Sequence, residues 1–294
     1  MLSSKNEQTI SLNAPDWEID FYSRPIVESD GKKRWELLII STESFYRNKV
    51  FKWEKNCPAN EVNSVWLSNA LEEALIAAEK EGWENPKSIR CWRVSMKTMI
   101  KKAAEKLGIE VKESRRTYSL FDWLKQRESD FYPYQEGYMN GPIAPPPQRI
   151  INQPIPLPEA LRGDAWSIAS LDINTLREAK EWPIEFNGLI PIKESIKGEV
   201  LIPGLRLFSN SRSLALSAWL SGIEPVKLII EGRQLILEAA QDDRWLVTDI
   251  PAELAKETKS AMEASIKEAD GLQFIAIQNN PNERKFSGFW MLRD

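Results

Sequence analysis

The sequence predicts a fold of the α+β or α/β class in two domains, the first a mixed sheet with its elements in the order βββαβαβα and the second an α+β domain with an antiparallel meander. Three observations predict it. Strand-like segments are interspersed with segments whose apolar residues recur at helical spacing. Eight of the 18 prolines fall within residues 133–158, which we interpret as a semi-rigid linker. In a chain of 294 residues, 42% of them hydrophobic, each half can bury its own core.

The first half begins with a predicted three-stranded meander. Residues 1–14 are polar and without a period, which predicts a flexible N-terminal arm. Trp17–Ile26 and Arg34–Thr42 have the composition of strands, and an Asp-Gly turn signal lies between them. Phe45–Glu54 alternates apolar and polar residues, so we expect it to be the third strand.

Helices and strands then alternate. Asn60 is predicted to cap a first helix that ends near Gly82. Ser88–Ser95 is predicted as the next strand, and Ser95 is predicted to cap a second helix that stops at Gly108. The apolar residues of this second helix recur at i, i+3, i+4 and i+7, which leaves its lysines on the opposite face.

The first domain closes with a predicted strand at Ile109–Ser114 and a helix that Ser119 and Asp122 open as a variant capping box. This order of elements is the one shared by ribonuclease H-like folds, and it places such a domain at residues 15–132. Active members of that class bring acidic residues together around two metal ions. The strand at Ser88–Ser95 ends without a carboxylate, so the sequence predicts a version that binds without cleaving.

The second domain is predicted at residues 159–294. Its strands, helices and meander follow from apolar runs and from helix-capping residues. The predicted elements are a strand at Ala165–Ile173, a short helix capped by Asn174, a strand at Phe186–Lys193, a helix at Leu214–Gly222, meander strands within Val226–Ile250, a helix from Pro251 to Ala269, and strands at Gly271–Ile277 and Phe286–Leu292.

Charge gives the strongest functional signal. Residues 90–127 carry eleven basic and four acidic side chains, a net charge of +7 in a chain whose net charge is −4. Such segregation is typical of a surface that binds a polyanion, although lysines on one helix can also simply solvate an exposed face. Lysine and arginine bind phosphates, and aromatic rings stack on unpaired bases of RNA. Trp92 and Phe121 are expected to be core. The predicted RNA-binding residues are Arg90, Arg93, Lys97, Lys101, Lys102, Lys106, Arg115, Arg116, Tyr118 and Trp123.

Histidine is absent from the chain, which excludes Ser-His-Asp and Cys-His hydrolases and His-ligated metals. The two cysteines, Cys57 and Cys91, lack metal-ligand spacing and are expected to be packed, reduced thiols. We therefore expect no cofactor, no bound metal and no enzymatic activity. The alternative left open is a metal-dependent nuclease using Asp20, Glu36, Glu73 and Asp122.

A secondary anion site is predicted at Asn210, Ser211 and Arg212, just before a predicted helix. Free backbone amides and the helix dipole favour a negative charge at such a position. A simple helix cap, with Arg212 in water, is the alternative. The sequence has neither GxxxxGK[ST] nor GxGxxG, so it predicts no nucleotide-binding loop of those kinds.

Several longer segments occur in a characteristic order along nearly the whole chain: WEIDFYSRPI with GKKRWELLI, RCWRVSMKTMIKKAAEKLGI, SLFDWLKQRE, LPEALRGDAWSI, IPGLRLFSNSRSLALSAWLSG, GLQFIAIQ and GFWMLRD. Together they resemble the Tab-type RNA-binding translation activators of chloroplasts and cyanobacteria. The closing segment departs from the usual form, with Met291 at a position that is usually Leu and Arg293 between Leu292 and Asp294.

The resemblance implies a protein that binds single-stranded, A/U-rich RNA in mRNA leaders and activates translation for photosystem I, with photosystem II left open. The translation machinery and thylakoid-associated complexes are further expected partners. A third alternative is an assembly factor that acts through protein contacts. No apolar run reaches the roughly 18 residues of a membrane span, and the start lacks a signal peptide, so we expect a cytoplasmic protein.

Overall fold

The computed structural model describes residues 15–44, 49–140, 152–241 and 243–293. The predicted N-terminal arm and the centre of the predicted linker lie outside these ranges. Within them, the chain is an α+β protein with three mixed sheets and six α-helices. We refer to residues 15–140 as the N-terminal part and to residues 152–293 as the C-terminal part.

The N-terminal part is organised around a five-stranded sheet. The first strand is antiparallel to the second and parallel to the fourth, and the order across the sheet is β3-β2-β1-β4-β5. The first three strands form the predicted meander. The strands are β1 (Trp17–Val27), β2 (Lys33–Ser41), β3 (Lys52–Cys57), β4 (Ser88–Cys91) and β5 (Glu110–Glu113).

Helices cover both faces of this sheet. Side chains of a strand point alternately to its two faces, and in β2 Leu37 packs in one core and Leu38 in another. Helices α1 (Ser64–Lys80) and α2 (Val94–Glu105) cover the face of Leu37, whereas α3 (Tyr118–Asp130) covers the face of Leu38. The predicted order βββαβαβα is the order observed along the chain.

Three predicted helix starts are wrong. Helix α1 is capped by Asn63, whose side chain accepts from the amides of Val65 and Trp66, and not by Asn60. The residues before it form a turn, with the amide of Glu61 donating to the carbonyl of Pro58. Helix α2 begins at Val94, before the predicted cap at Ser95. Helix α3 begins at Tyr118, before the predicted capping box of Ser119 and Asp122, and no side chain caps it from Thr117.

Helix α3 takes its N-terminal acceptor from another element. The amide of Leu120 donates to Glu18 Oε2 on β1 at 2.9 Å. Glu18 is buried, and burial raises its pKa to about 7 in spite of that hydrogen bond. A carboxyl from the sheet therefore fixes the start of the helix that covers it.

The third strand is displaced from its predicted position. The structure pairs Lys52–Cys57 with β2, whereas Phe45–Glu54 was predicted and its beginning lies outside the described residues. Phe51 is buried against Trp17, with ring centroids 5.4 Å apart, and its carbonyl accepts from the amide of Ser41 at 3.0 Å, so this residue joins the core beside the end of β2.

The C-terminal part contains the other two sheets. A five-stranded sheet has the order β7-β9-β13-β14-β8, and a four-stranded sheet has the order β10-β11-β12-β6. Strands β10 to β12 are the predicted antiparallel meander. The strands are β6 (Ile155–Pro156), β7 (Ala165–Asp172), β8 (Ile184–Gly188), β9 (Leu201–Phe208), β10 (Pro225–Glu231), β11 (Gln234–Ala239), β12 (Arg244–Asp249), β13 (Leu272–Gln278) and β14 (Phe286–Arg293).

Helices α4 (Ile173–Arg177), α5 (Ser213–Ile223) and α6 (Ala252–Glu268) complete this part. Asp172 caps α4 by accepting from the amide of Thr175, so the predicted cap at Asn174 is wrong. The strand predicted at Phe186–Lys193 is also shifted, because β8 ends at Gly188.

The chain's closing segment is an interior strand. Trp290, Met291 and Leu292 of β14 are all buried, and β14 lies between β13 and β8. A Cβ on Gly288 would lie within 2.4 Å of the Trp290 ring, so the absence of a side chain there makes room for the indole. This segment contributes to the core of the sheet.

Both described ends of the predicted linker make contacts with folded elements. The amide of Met139 donates to the carbonyl of Pro25 at 2.8 Å, and Ile26 forms a β-bridge with Tyr138. At the other end, β6 pairs in parallel with β12. The predicted domain boundaries remain a prediction.

Candidate nucleic-acid interface

Helix α2 presents lysines to solvent, as its period predicted. Lys101, Lys102 and Lys106 are exposed, while Ile100, Ala103 and Ala104 are buried in the core beneath them. The Lys101 ammonium lies 4.0 Å from the Glu105 carboxylate. We call Lys101, Lys102 and Lys106 the lysine face.

Lys97, one turn earlier on the same helix, is partly withdrawn from solvent. Its ammonium pairs with the Glu113 carboxylate on β5, and 42% of its side chain is exposed. It lies on the same helix as the lysine face but already has an anionic partner.

Arg93 is buried, in conflict with its predicted phosphate-binding role. Its Nε donates to Asp20 Oδ1 at 2.6 Å, and Arg24 donates to the other oxygen of Asp20 at 2.8 Å. The Arg93 guanidinium also lies 4.1 Å from the ring centroids of both Tyr22 and Trp92. An arginine held between a carboxylate and two rings cannot reach a ligand in this conformation.

Three other predicted arginines join the two parts of the protein. Arg90 pairs with Glu224 at 2.7 Å, and Arg115 pairs with Glu238 at 2.9 Å. Arg116 donates to the backbone carbonyls of Pro225 at 2.5 Å and of Gly188 and Met291 at 3.3 Å each. Their planar donors match carboxylates and carbonyls of the C-terminal part, so much of the predicted positive surface is used inside the molecule.

The predicted aromatic roles are reversed by burial on α3. Trp123 is only 9% exposed and packs with Leu120 and Leu124 over β2, whereas Phe121, expected to be core, is 47% exposed. The buried positions Leu120, Trp123, Leu124 and Arg127 recur at i, i+3, i+4 and i+7, a signal that was present in the sequence. The prediction that Trp123 stacks on bases conflicts with this packing.

Tyr118, the other predicted stacking residue, faces the C-terminal part. It packs against that part's core and its hydroxyl lies 3.4 Å from the carbonyl of Val226. The lysine face belongs to the opposite side of the sheet from α3. The structure therefore does not bring the predicted lysines and aromatics together into a single stripe.

The four acids of the nuclease alternative do not converge. Glu73 pairs with Lys55 on the exposed side of α1 at 2.6 Å, and Asp122 pairs with Arg293 at 2.8 Å. Asp20 forms ion pairs with Arg24 and Arg93. Arg93 lies just after β4, at the end of the predicted strand where the sequence has no carboxylate. In the part of the chain that the structure describes, no group of three or more His, Cys, Asp or Glu side chains is placed to hold a metal ion.

Sequence reasoning missed a buried polar network on the α3 side of the sheet. Glu36 accepts from Arg24 at 2.9 Å, from Arg127 at 2.6 Å and from the hydroxyl of Tyr132 at 2.5 Å. Burial raises the pKa of Tyr132 above its usual range, which keeps the phenol protonated as a donor. The sequence of β1 contained a signal for this network. Glu18 and Asp20 are two residues apart and Arg24 follows four residues after Asp20, so all three side chains are expected on one face of the sheet.

The predicted secondary anion site already contains an acid from the chain. Asp164 accepts from the backbone amide of Asn210 at 2.9 Å and lies 3.5 Å from Arg212. Arg212 also donates to the carbonyl of Glu159 at 3.3 Å, and Ser211 is exposed. The anion expected before α5 is thus supplied internally by Asp164.

The packed state of the cysteines was predicted correctly. Cys57 and Cys91 are both buried and unpaired, and burial raises the pKa of each thiol to about 12.

Comparison with known proteins now identifies the family. A family model described as "RNA-binding protein Tab2/Atab2 N terminal" matches residues 16–127, and one described as "RNA-binding protein Tab2/Atab2, C-terminal domain" matches residues 144–293. The chain belongs to the Tab2/Atab2 family. The resemblance seen in the sequence is confirmed, and both descriptions name the family as RNA-binding.

Two members of the Tab2/Atab2 family, both named "Protein TAB2 homolog, chloroplastic", are similar over most of this chain. The protein from Zea mays is 34% identical over 95% of this chain and 71% of its own length. The protein from Arabidopsis thaliana is 32% identical over 100% of this chain and 78% of its own length.

These names overturn the cytoplasmic prediction, because both relatives are chloroplastic proteins. The sequence criterion was insufficient, since chloroplast targeting segments are amphipathic and not apolar, and a search for apolar segments does not detect them. Among the described residues, no helix combines the length and the apolar character that crossing a bilayer requires.

Proposed function

We propose that this protein binds A/U-rich, single-stranded leaders of photosystem I mRNAs and activates their translation, with photosystem II mRNAs as further targets. Membership of an RNA-binding family is the observation that carries the proposal. The lysine face of α2 supports it as a source of phosphate contacts, because three exposed ammonium groups on one helix attract a polyanion without reading its sequence.

The same proposal places the N-terminal part in the ribonuclease H-like class as a binding framework, within a two-domain protein. The strand order β3-β2-β1-β4-β5 with helices on both faces supports this. Asp20 forms ion pairs with both Arg24 and Arg93, which occupy its two carboxylate oxygens. These pairs support the proposal that the domain binds without cleaving.

The proposed setting is a chloroplast-type photosynthetic compartment, as in the two named relatives. Leader binding places the protein beside the translation machinery, and the proteins made from these mRNAs are inserted into thylakoid complexes. Both are therefore proposed partners.

The test is RNA affinity as a function of salt. Each phosphate contact on a single strand contributes about −0.7 to the slope of log affinity against log salt, so the lysine face should contribute about −2. Replacing Lys101, Lys102 and Lys106 with Ala should weaken binding to all single strands and flatten the slope by that amount.

A matched control removes the same charge elsewhere. Lys180, Lys197 and Lys256 are exposed lysines of the C-terminal part, and their triple Ala variant should keep the wild-type slope. If both triple variants lose affinity equally, only net charge matters and the lysine face is not the interface. Failure of the wild-type protein to bind A/U-rich RNA at low salt would reject the proposed function and favour an assembly role through protein contacts.

A further inference from the structure

A cleft lies between the two sheets of the C-terminal part. One wall is formed by β6 and β12, which are joined where the amide of Leu157 donates to the carbonyl of Leu246 at 3.2 Å, and the other by β7 and β9. The cleft has a volume of about 380 Å³, within the range of small-molecule pockets. Its lining includes Leu157, Arg162, Trp166, Leu207, Leu246 and Asp249.

Trp166 gives this cleft an accessible aromatic surface. It lies on the edge strand β7 opposite Leu207 of β9, and 36% of it is exposed. Leu207 beside it is buried, so the indole extends an apolar floor outward to solvent. An exposed ring over an apolar floor is the arrangement on which a planar base stacks.

Arg162 is held at the mouth of the cleft by the backbone. Its Nε donates to the carbonyl of Leu157 at 3.0 Å, and no carboxylate among the described residues pairs with its outer nitrogens. The turn that carries it is pressed against β9, because a Cβ on Gly163 would lie 3.0 Å from the carbonyl oxygen of Phe208. The guanidinium is therefore preorganised for a phosphate or for the face of a base.

The opposite wall supplies hydrogen-bond acceptors. Thr248 and Asp249 line the cleft from β12, and Asp249 is exposed. A carboxylate accepts from the amino group of a base, and a hydroxyl can donate or accept. Stacking surface, cation and acceptor thus meet in one pocket.

A larger cavity of about 700 Å³ between β10 and α6 is less suited to a base. It is lined by three lysines and three glutamates, and no aromatic ring is among its described lining residues. Its charges balance one another, so it favours neither an anion nor a stacked ring.

We propose that the cleft at Trp166 is a nucleobase subsite for single-stranded RNA. One base stacks on Trp166, Arg162 contacts its phosphate or its face, and Asp249 accepts from its amino group. This inference rests on the proposed function, to which it adds a base-contacting site separate from the lysine face. The segment LPEALRGDAWSI, which helped to identify the family, supplies both Arg162 and Trp166.

The experiment compares binding of a short oligoadenylate by the full-length protein and by two cleft variants. Trp166→Ala should weaken binding about 5- to 150-fold, the equivalent of ~1 to 3 kcal/mol for one stacked base. Arg162→Ala, an exposed position that does not endanger folding, should weaken it as well. A photoreactive oligonucleotide should crosslink to peptides that line the cleft.

Matched controls exist for both variants. Tyr134 is an aromatic residue that is 82% exposed outside the cleft, so Tyr134→Ala should bind as the wild type does. Arg233 is exposed like Arg162, and its Nε also donates to a backbone carbonyl, that of Ile250 at 3.2 Å. Arg233→Ala therefore removes a similarly bonded arginine outside the cleft and should bind as the wild type does. Thermal melts verify that each variant is folded.

The outcomes separate this inference from the proposed function. If the wild-type protein binds RNA but both cleft variants match their controls and no crosslink maps to the cleft, the subsite is wrong and the proposed function stands. If the wild-type protein binds no RNA, adenosine monophosphate binding decides the subsite. Saturable binding that Trp166→Ala and Arg162→Ala abolish then supports it, and absence of binding overturns it.

Discussion

At the scale of single residues, Glu18 is the clearest case of a group whose state is set by the fold. A carboxyl with no burial ionises well below neutral pH, but Glu18 is buried beneath α3 and its pKa rises from 4.5 to about 7. The folded protein therefore retains a proton that the unfolded chain releases. Stability from this group is fully present below the unfolded pKa and falls as pH rises toward 7.

Glu18→Gln tests this link. Gln stays neutral at every pH and keeps an oxygen that accepts from the Leu120 amide, so the variant should gain stability relative to the wild type as pH rises from about 5 to about 8. A shift from 4.5 to about 7 corresponds to a change on the order of 3 kcal/mol between those limits. Urea unfolding of both proteins at each pH measures it. Parallel pH profiles would contradict the raised pKa.

Two buried arginines have a structural role and are not available to bind a ligand. Arg93 and Arg127 are both buried, the first against Asp20 and the second against Glu36. Breaking such a buried pair on one side leaves an uncompensated charge, which costs about 3 to 5 kcal/mol. These arginines hold the α3 side of the sheet together, and composition alone had assigned Arg93 to RNA.

At the scale of elements, helix caps are local features that the sequence nearly specifies. Both Asn60 and Asn63 precede the apolar stripe of α1, and both residues are of a type that caps helices well. The structure places Asn63 at the cap, with two amides donating to its side chain at 2.9 and 3.0 Å. Asn60 lies in the preceding turn region.

These two asparagines make a matched pair of variants. Asn63→Ala should lower the free energy of unfolding by about 1 kcal/mol, because two amides of α1 lose their acceptor. Asn60→Ala should change it by less than about 0.5 kcal/mol, as is usual for an exposed surface position. Chemical denaturation measures both, and equal losses would mean that the helix start is misplaced.

At the scale of the whole molecule, charged contacts join the N-terminal and C-terminal parts. Glu224 has φ of 50°, in the left-handed region that disfavours residues other than glycine, and its carboxylate accepts from Arg90 and Ser114 at 2.7 Å each. Although burial raises the pKa of Glu224, its pairing with Arg90 holds the net pKa below the usual value. A strained backbone thus positions an acid for a contact between the parts.

A double-mutant cycle on Arg90 and Glu224 should give a coupling energy of about 2 kcal/mol, because both side chains are largely withdrawn from water. The pair Lys55 and Glu73 is the control, since it is similarly close at 2.6 Å but exposed, and should give less than about 1 kcal/mol. Because the pKa of Glu224 is lowered, the coupling should persist above the ordinary glutamate pKa and fade as pH drops below it. Equal coupling in both pairs would argue that the contact between the parts contributes little.

The sequence by itself determined the order of the elements in the N-terminal part, the antiparallel meander, the lysine face of α2 and the family. Each of these follows from local periodicity, from turn residues or from extended similarity, and none depends on which distant residue lies alongside. The apolar stripe of α3 is also a local pattern, so the burial of Trp123 could have been predicted from the sequence.

Only the tertiary structure decided the partners of the charged and aromatic groups. Arg90 and Glu224 are 134 residues apart in the sequence, and Arg116 and Met291 are 175 residues apart. No local spacing pattern could therefore predict these contacts. Because α2 and α3 pack on opposite sides of the sheet, the lysines of α2 lie apart from the aromatic residues of α3. The cleft at Trp166 likewise exists only because β12 and β7 meet in space. A charge pattern gives the number of available donors, but burial and neighbours determine which of them remain for a ligand.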